Sequence, residues 1–307
     1  MTAPPRLQPL VRARLGGLGE RGAAWHEALP DLLDRLADEW RLTWGRPLPG
    51  GSASYVVAAE TTHGEPRAVK VPVPDADLAD ESRVLAAAGG RGYVRLHGHD
   101  AQSDALLLER LGDSLDRSAR PPEEQLAALA ETLHEAWTVD LPALPGQEDK
   151  AVGLHRLVRE LDERLGHPTH PRVLRTALDH AERLAGWDGP TVTVHGDPHP
   201  ANTLRAPDGR GSGWLLVDPD GFRADPAYDA GVTLRDWCSH LRGPDAGRRL
   251  RAWTALVAGR TGLDPDRVWA WAFLERVSTG LHVWGFGADR VGRPFLESAA
   301  ALLSAPA

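Results

Sequence analysis

After the predicted helix Ala24–Trp40, the pattern of apolar residues is that of strands and then changes close to Leu111, and this change limits the possible folds. Before it, from Arg41 to Glu109, short apolar runs alternate with turn signals such as Gly50-Gly51-Ser52. This alternation is typical of hairpin-connected strands. After it, apolar residues recur mostly at helical spacing. We therefore predict an α+β protein with two lobes, a strand-rich one over residues 1–110 and a larger, mainly helical one over residues 111–307.

The predicted elements follow this division. The sheet of the first lobe has five strands: Arg41–Leu48, Tyr55–Thr61, Arg67–Val73, Tyr93–His97 and Ala105–Glu109. Two helices accompany it: Ala24–Trp40 and Ala76–Ala88. Six helices are predicted in the second lobe: Pro122–Trp137, Ala151–Leu165, Pro171–Ala185, Pro226–His240, Asp245–Arg260 and Pro265–Trp284. Two short strands interrupt them: Thr191–Val194 and Trp214–Val217.

Composition argues against several classes of protein. The formal net charge of −8 disfavours a nucleic-acid partner and is compatible with a cationic substrate. No apolar run approaches the length of about 18 residues that a membrane helix needs. The single cysteine, Cys238, rules out an intramolecular disulfide and fits a reducing cytoplasm. We expect a cytoplasmic protein that acts on a small molecule, with no nucleic-acid, membrane or obligate protein partner.

The segment from His195 to Asp218 carries the clearest chemical motif. Asp197 follows a predicted strand, Asn202 comes five positions later, and Asp218 ends the next strand. Protein kinases have an Asp and an Asn at this spacing, followed by a Mg²⁺-binding Asp. Phosphoryl transfer needs an Asp to accept or orient the proton of the attacking hydroxyl, and oxygen ligands for Mg²⁺. The three residues in this order therefore predict a phosphoryl-transfer centre.

Lys70 is one of only two lysines in the chain and lies in a predicted strand. A kinase has a lysine at this place, which contacts the α- and β-phosphates, and a helix glutamate that holds it. Glu81 follows in the predicted helix, between Leu78 and Leu85 on the inward face. Because an unpaired buried carboxylate is costly, we predict that Glu81 pairs with Lys70.

The run Gly50–Ser54 lies between two strands, where a kinase has its phosphate-covering loop. It lacks the full G-x-G-x-x-G pattern, and such a run by itself is more often a hairpin turn. Its position ahead of Lys70 favours phosphate contacts from the backbone at Gly51 and from the hydroxyls of Ser52 and Ser54. No GxxxxGK[ST] run is present, so a P-loop NTPase is not supported.

The sequences HGDPHPANTL and WLLVDPDGFRADPAYDAG resemble the aminoglycoside phosphotransferase family, and most of all its streptomycin 6-phosphotransferase and hydroxyurea kinase branch. The resemblance implies a bilobal protein-kinase-like fold that uses ATP and Mg²⁺. It implies Asp197 as the catalytic base, with Asn202 and Asp218 as Mg²⁺ ligands. It also implies that residues 108–111, which include Glu109 and Leu111, form a hinge whose backbone pairs with adenine.

The implied activity is transfer of the γ-phosphate of ATP to a hydroxyl of a streptomycin-type aminoglycoside, which gives antibiotic resistance. Hydroxyurea, a macrolide, or a metabolite sugar or amino alcohol are alternative acceptors. Gly196 replaces the Arg of the protein-kinase catalytic loop, so regulation through a phosphorylated activation loop is not supported. No long activation segment or APE motif follows Asp218, which argues against a protein substrate.

Four later residues are candidates for contact with the substrate: Asp229, Asp236, Glu275 and Trp284. Carboxylates and a tryptophan ring are the groups that hold a guanidinium- or amine-bearing sugar. For Asp229 two other interpretations are open: a favourable charge at the start of the helix, or a role that supports the site. Asp225 is predicted to cap the helix that follows it.

Two other classes of protein stay open. The run from His195 to His199 looks like the HxDxH metal cluster of a metallohydrolase, with Asp197 between the two histidines. That interpretation leaves Lys70 and Glu81 unexplained. A nucleotide-binding pseudokinase would keep the fold and bind ATP without turnover. His199 itself has two interpretations, a contact to the γ-phosphate or a structural hydrogen bond.

Overall fold

The computed structural model describes residues 5–76, 78–143 and 146–304. The chain divides into two compact units, Met1–Gly112 and Asp113–Ala307, and each has its own hydrophobic core. Nucleotide binding by the first part of the chain and catalysis by the second stay predictions. Among the described residues, no helix combines the length and the apolar content that crossing a membrane requires.

The first unit is built on an antiparallel sheet of five strands in the order β1-β2-β3-β5-β4. The strands are β1 Leu42–Pro47, β2 Ser54–Thr61, β3 Pro66–Pro72, β4 Leu96–Asp100 and β5 Ala105–Glu109. Three helices accompany the sheet: α1 Pro9–Gly17, α2 Glu20–Trp40 and α3 Ala79–Ala88.

Both faces of β3 are buried, which decides where its side chains lie. Val69 and Val71 belong to the hydrophobic core that α1 and α2 form with the sheet. Because successive side chains of a strand point to opposite faces, Lys70 lies on the other face, where it meets α3. The sequence of β3 therefore puts one lysine inside the unit.

The second unit is mainly helical. Its helices are α4 Pro122–Ala136, α5 Lys150–Arg164, α6 Pro171–Leu184, α7 Pro226–Thr233, α8 Ala246–Thr261, α9 Pro265–Gly285 and α10 Asp289–Ser304. Four short strands form two antiparallel pairs, β6 with β9 and β7 with β8. They are β6 Val192–Val194, β7 Thr203–Arg205, β8 Trp214–Leu216 and β9 Phe222–Ala224.

Helix α7 packs closely against α9, and its start is capped as predicted. The Asp225 carboxylate accepts a hydrogen bond of 2.9 Å from the main-chain N–H of Ala227 and another of 2.9 Å from the indole N–H of Trp271. A Cβ at Gly231 would lie 2.5 Å from the Cβ of Trp271, so only glycine allows this approach. The short helix α7 is thereby fixed on the long helix α9.

The α+β class and most of the predicted elements are confirmed, with differences at their ends. The helix predicted over Pro226–His240 ends at Thr233, because the guanidinium of Arg276 binds the carbonyl of Leu234 and turns follow. Four elements were not predicted: α1, α10, β7 and β9. The strands are only three residues long, and α10 contains Pro294, which hides its periodicity. The strand predicted over Tyr93–His97 lies at Leu96–Asp100, and residue 77, inside the predicted helix Ala76–Ala88, lies outside the described residues.

Candidate active site

The loop after β6 is anchored by Asp229 of α7. Its carboxylate accepts hydrogen bonds from the main-chain N–H groups of His195, at 2.7 Å, and Gly196, at 3.0 Å, and from the indole N–H of Trp137, at 2.9 Å. Asp229 is fully buried, and burial raises its pKa to about 6 although the three donors favour the ionised form. The prediction that Asp229 contacts the substrate is therefore wrong, because both oxygens are turned inward and already bonded.

His195 connects the start of this loop to the end of β8. Its Nδ1 accepts a hydrogen bond of 3.1 Å from the N–H of Asp197, and its Nε2 donates one of 2.8 Å to the carbonyl of Val217. Burial lowers the pKa of His195 to about 4, so the ring is neutral at physiological pH. Both ring nitrogens are thus engaged within the protein, and in the parts of the chain described here no group of three or more His, Cys, Asp or Glu could hold a metal ion. The metallohydrolase alternative is not supported.

Gly196 has a backbone conformation and surroundings that only glycine fits. Its φ is +97°, and a Cβ at this position would lie 2.5 Å from a carboxylate oxygen of Asp220. The carbonyl of Gly196 accepts a hydrogen bond of 3.1 Å from the hydroxyl of Tyr228. The glycine that stands where protein kinases have an arginine is therefore required by the loop itself.

Asp197 presents a carboxylate to solvent, with 39% of its side-chain surface exposed. One oxygen lies 2.8 Å from the guanidinium of Arg235, and the other lies 3.3 Å from Nε2 of His199. Burial opposes ionisation of Asp197, but the hydrogen bond from His199 and the positive charge of Arg235 outweigh it. They hold the pKa of Asp197 well below its ordinary value. The group is therefore ionised, oriented and accessible.

Arg235 is a member of this site that sequence reasoning missed. Its side chain is 11% exposed, and it binds Asp236 at 2.7 Å as well as Asp197. Glu275 of α9 lies 3.8 Å from the same guanidinium. Because arginine supplies nearly all basic residues of this chain, nothing in the sequence marked this one.

His199 makes structural hydrogen bonds with both ring nitrogens. Nδ1 accepts from the N–H of Ala201, at 3.2 Å, and thereby caps a 3₁₀ turn over Pro200–Asn202. Nε2 faces Asp197. Burial lowers the pKa of His199, but the neighbouring Asp197 carboxylate more than compensates and raises it. The structural interpretation of His199 is therefore observed, and a contact to phosphate stays a prediction.

Asn202 and Asp218 lie on either side of the β7–β8 hairpin. The side-chain amide of Asn202 donates to the carbonyl of Asp197, at 3.2 Å, which directs its own oxygen away from the loop. The N–H of Val217 donates to the main-chain carbonyl of Asn202, at 3.0 Å, and so joins Asn202 to the residue before Asp218. Asp218 has a φ of +60°, a left-handed conformation that costs energy for a non-glycine residue and often marks functional sites.

Asp220 is a second acidic residue that sequence reasoning did not select. Its pKa is raised to about 6, because the surrounding protein atoms displace water from it and the charges of Asp197, Glu275 and Asp218 repel its own. Lys150 of α5 acts in the opposite direction. The only signal in the sequence is that Asp220 lies two positions after Asp218, and aspartate is a common turn residue.

The predicted substrate residues separate into two places. Asp236 and Glu275 both lie beside Arg235, the first exposed and the second buried. Trp284 follows Glu275 by nine residues of α9, about two and a half turns, and so projects from the opposite side of the helix. Its ring lies 5.0 Å from the guanidinium of Arg293 in α10. Trp284 is therefore not part of the acidic group, and its role as a substrate residue stays a prediction.

In the first unit, the predicted pair of Lys70 and Glu81 is confirmed. The ammonium of Lys70 in β3 donates a short hydrogen bond to the carboxylate of Glu81 in α3. Their side chains are only 7% and 6% exposed. Such burial requires that the two charges neutralise each other.

The segment from Gly50 to Ser54 forms the connection between β1 and β2. Gly51 is exposed and Ser52 is half-buried, whereas Ser54 begins β2 and is buried. The hydroxyl of Ser54 is one of the few buried polar groups that lack a hydrogen-bond partner within the described chain. An unsatisfied buried hydroxyl is the kind of group that a bound ligand completes.

The predicted hinge, residues 108–111, begins with the last two residues of β5 and continues beyond the strand. The main-chain N–H of Glu109 donates to the carbonyl of Arg95, at 2.9 Å. The N–H of Glu109 is therefore already bonded and cannot pair with adenine. This corrects the prediction for that one group of the hinge. Leu111 is buried at the end of this segment. The hinge function itself stays a prediction.

A lysine–glutamate pair on a five-stranded antiparallel sheet and an Asp-to-Asn loop before a strand-end Asp are found together in the protein-kinase-like fold. Helix α7 begins at Pro226, only eight residues after Asp218, which leaves no room for the long segment that binds peptides in protein kinases. Fold and site together define a kinase of small molecules.

Comparison with known proteins also indicates a small-molecule kinase, and it identifies the family. The sequence model of the family described as aminoglycoside/hydroxyurea antibiotic resistance kinase matches residues 39–284. The streptomycin 6-kinase of Streptomyces glaucescens is 30% identical over 269 residues, which cover 87% of this chain and 86% of that protein. The hydroxyurea phosphotransferase of Kitasatospora aureofaciens is 30% identical over 298 residues, which cover 95% of this chain and 83% of that protein.

Among solved structures, the spectinomycin phosphotransferase APH(9)-Ia in complex with ADP and spectinomycin superposes with a TM-score of 0.58. It is 12% identical, and the match covers 89% of this chain and 93% of that one, so the likeness concerns the fold. This chain belongs to the aminoglycoside/hydroxyurea antibiotic resistance kinase family, whose members are small-molecule phosphotransferases.

Proposed function

We propose that this protein transfers the γ-phosphate of ATP to a hydroxyl of a streptomycin-type aminoglycoside and so confers resistance. The observation that carries the proposal is the state of Asp197: ionised, exposed to solvent, and held from two sides by Arg235 and His199. A carboxylate in this state can bind and orient an acceptor hydroxyl. The sequence identity of 30% with streptomycin 6-kinase supports an aminoglycoside as the acceptor. A cytoplasmic location, where ATP is available, is part of the proposal.

The residues present fit ATP and Mg²⁺. Lys70, kept charged and immobile by Glu81, would bind the α- and β-phosphates, and the unsatisfied hydroxyl of Ser54 would meet a phosphate oxygen. The ADP in the spectinomycin phosphotransferase supports this assignment. The amide oxygen of Asn202 and the carboxylate of Asp218 would hold Mg²⁺, which usually takes one or two protein ligands besides phosphates and water. When bound, the ion neutralises charge on the phosphate oxygens.

Asp197 accepts a hydrogen bond from the acceptor hydroxyl and directs its oxygen at the γ-phosphorus. As the new oxygen–phosphorus bond forms and the bond to ADP breaks, the hydroxyl proton passes to the carboxylate. Because the pKa of Asp197 is well below its ordinary value, the carboxylate is a weak base. Orientation is therefore its main contribution, with proton transfer late in a loose transition state.

The acidic residues around this loop explain a preference for a cationic acceptor. Asp220 and Asp236 are exposed, and Glu275 lies behind them against Arg235. Loss of contact with water raises the pKa of Asp220 most, and the charges of Asp197, Glu275 and Asp218 raise it further. A cationic group placed beside Asp220 would relieve the repulsive part. Guanidinium and ammonium groups of an aminoglycoside satisfy this requirement.

Hydroxyurea is the second candidate acceptor. The match to hydroxyurea phosphotransferase extends over 95% of this chain, a larger share than the 87% covered by streptomycin 6-kinase. Hydroxyurea carries no positive charge, so the exposed carboxylates would not contribute to its binding. This difference separates the two candidates by experiment.

The test is ADP release coupled to acceptor, with purified protein, ATP, Mg²⁺ and each of streptomycin, hydroxyurea and a macrolide. We expect turnover with streptomycin, and the variant Asp220→Asn should raise the KM for streptomycin without changing the KM for ATP. Turnover with hydroxyurea alone, insensitive to Asp220→Asn, would replace the first candidate by the second. Absence of turnover with all acceptors, together with normal ATP binding, would favour the pseudokinase alternative.

A further inference from the structure

The segment before the sheet is an integral part of the first unit, although most of it precedes the region that the family model matches, residues 39–284. Leu7, Val11 and Leu15 are buried in the same hydrophobic core as the strands. Gln8 lies among them, with only 8% of its surface exposed. Its side-chain N–H groups have hydrogen-bond partners, whereas its Oε1 has none among the described residues.

The partners of Gln8 are two main-chain carbonyls at the base of the β1–β2 connection. Its Nε2 donates to the carbonyl of Leu48, at 2.8 Å, and to that of Val56, at 2.7 Å. Leu48 and Val56 are themselves joined by a hydrogen bond of 2.9 Å from the N–H of Leu48. One side-chain amide therefore ties together the two ends of the segment that contains Gly50–Ser54.

This support comes next to an irregularity in the strand pairing. The register between β1 and β2 shifts between Trp44 and Pro47, just before Leu48. Such an irregularity disrupts the ladder locally. Gln8 supplies two hydrogen bonds at this point from outside the sheet.

The N-terminal helices also hold the segment on the other side of the loop. Arg14 of α1 binds the carboxylate of Asp75 at 3.0 Å, and Arg21 of α2 donates to the carbonyl of Pro74 at 3.1 Å. The neighbouring Val73 donates its N–H to the carbonyl of Ala53, at 3.0 Å. The loop is thus connected to α1 and α2 both through its own base and through residues 73–75.

We propose that Gln8 is a positioning residue for the phosphate-covering loop, and that α1 and α2 clamp this loop for nucleotide binding. The proposal rests on the proposed function, which assigns Gly50–Ser54 to the phosphates of ATP. Gln8 acts through the main chain of Leu48 and Val56 and touches no reactant. Without Gln8, the backbone amides and the Ser54 hydroxyl of the loop move away from the phosphates. The affinity for ATP is therefore lowered, and the affinity for the acceptor is not.

The test uses the full-length protein with Gln8→Leu, which removes both donors, and Gln8→Asn, which keeps the amide but is shorter by one methylene. The expected result is a rise of about tenfold in the KM for ATP with an unchanged KM for the acceptor, since misplacement by about 1 Å can cost up to 10²-fold. Leu250→Ala in α8 of the second unit is the control: it removes a fully buried core side chain and leaves Gln8, α1 and α2 in place. It should lower the melting temperature without changing the KM for ATP.

An unchanged KM for ATP in both Gln8 variants would overturn the proposal. So would equal rises in the KM for ATP and for the acceptor, or a rise of the same size in the KM for ATP of Leu250→Ala, since both would indicate a general loss of folding. If Gln8→Leu does not fold, Gln8→Asn decides. Lys70→Met distinguishes a failure of the proposed function from a failure of the inference about Gln8. A normal KM for ATP in Lys70→Met would reject the proposed function. A raised KM for ATP in Lys70→Met, together with a normal KM for ATP in both Gln8 variants, would reject only the inference about Gln8.

Discussion

The ammonium of Lys70 and the carboxylate of Glu81 form an ion pair inside the first unit, with less than a tenth of either side chain exposed. Each charge depends on the other, because an isolated charge in this position would be strongly destabilised. The pair therefore has two consequences, one for stability and one for the binding of phosphate, and they can be separated by mutation.

Replacing Lys70 by Met leaves Glu81 as an uncompensated buried charge. We expect a loss of about 3–5 kcal/mol in the free energy of unfolding. The double variant Lys70→Met/Glu81→Leu should regain most of that stability, because both charges are gone. Its KM for ATP should remain raised. Urea denaturation and steady-state kinetics measure the two effects, and a double variant that regains normal ATP kinetics would exclude Lys70 from nucleotide binding.

Arg235 should act on turnover through Asp197. Replacing Arg235 by Met frees the carboxylate of Asp197 to rotate, and we expect kcat to fall by about 10²-fold, the loss typical of a misplaced reacting group. In the background of Asp197→Asn the same replacement should have almost no further effect on kcat. Arg35→Met, which breaks the pair of Arg35 with Asp100 in the first unit, is the control and should leave kcat unchanged. Equal effects of Arg235→Met in both backgrounds would show that Arg235 serves folding alone.

His180 of α6 makes stability depend on pH. It is 7% exposed and packs edge-on against Phe273, and burial together with the charge of Arg183 lowers its pKa from 6.5 to about 4. The unfolded chain takes up a proton as the pH falls through 6.5, whereas the folded chain does so only near 4. Stability from this group is therefore complete above about pH 6.5 and is lost as the pH falls toward about 4.

Between pH 7 and pH 5, His180 should lower the free energy of unfolding of the wild type by about 2 kcal/mol, while Asp220 and Asp229, whose pKa values are raised to about 6, act in the opposite direction. His180→Gln should reduce the slope by that amount, even if it is less stable at pH 7. His63→Gln, at an exposed position, should keep the slope of the wild type. Identical slopes for the wild type and His180→Gln, measured by urea denaturation, would contradict this account.

Local patterns in the sequence were sufficient for most of the elements and for one long-range contact. The Lys70–Glu81 pair was predictable because strand alternation and helix periodicity both direct these side chains inward. The role of Asp229 was left open because its partners, the N–H groups of His195 and Gly196, lie more than thirty positions earlier. Arg235 was missed for a similar reason: its place beside Asp197 depends on where α7 ends. Trp284 was selected by its chemistry, and only its position in α9, on the side opposite Glu275, shows that it lies apart from the acidic group.

The transfer chemistry assigned to Asp197 is tested most directly by single-turnover phosphorylation of streptomycin with wild type and Asp197→Ala, combined with calorimetric measurement of ATP affinity. The account predicts a rate lower by about 10²- to 10⁴-fold in the variant, the range that a positioned base contributes, with ATP affinity unchanged. Asp208→Ala, at an exposed turn, should behave like the wild type in both measurements. Equal rates of phosphate transfer in the wild type and in Asp197→Ala would contradict the role assigned to Asp197.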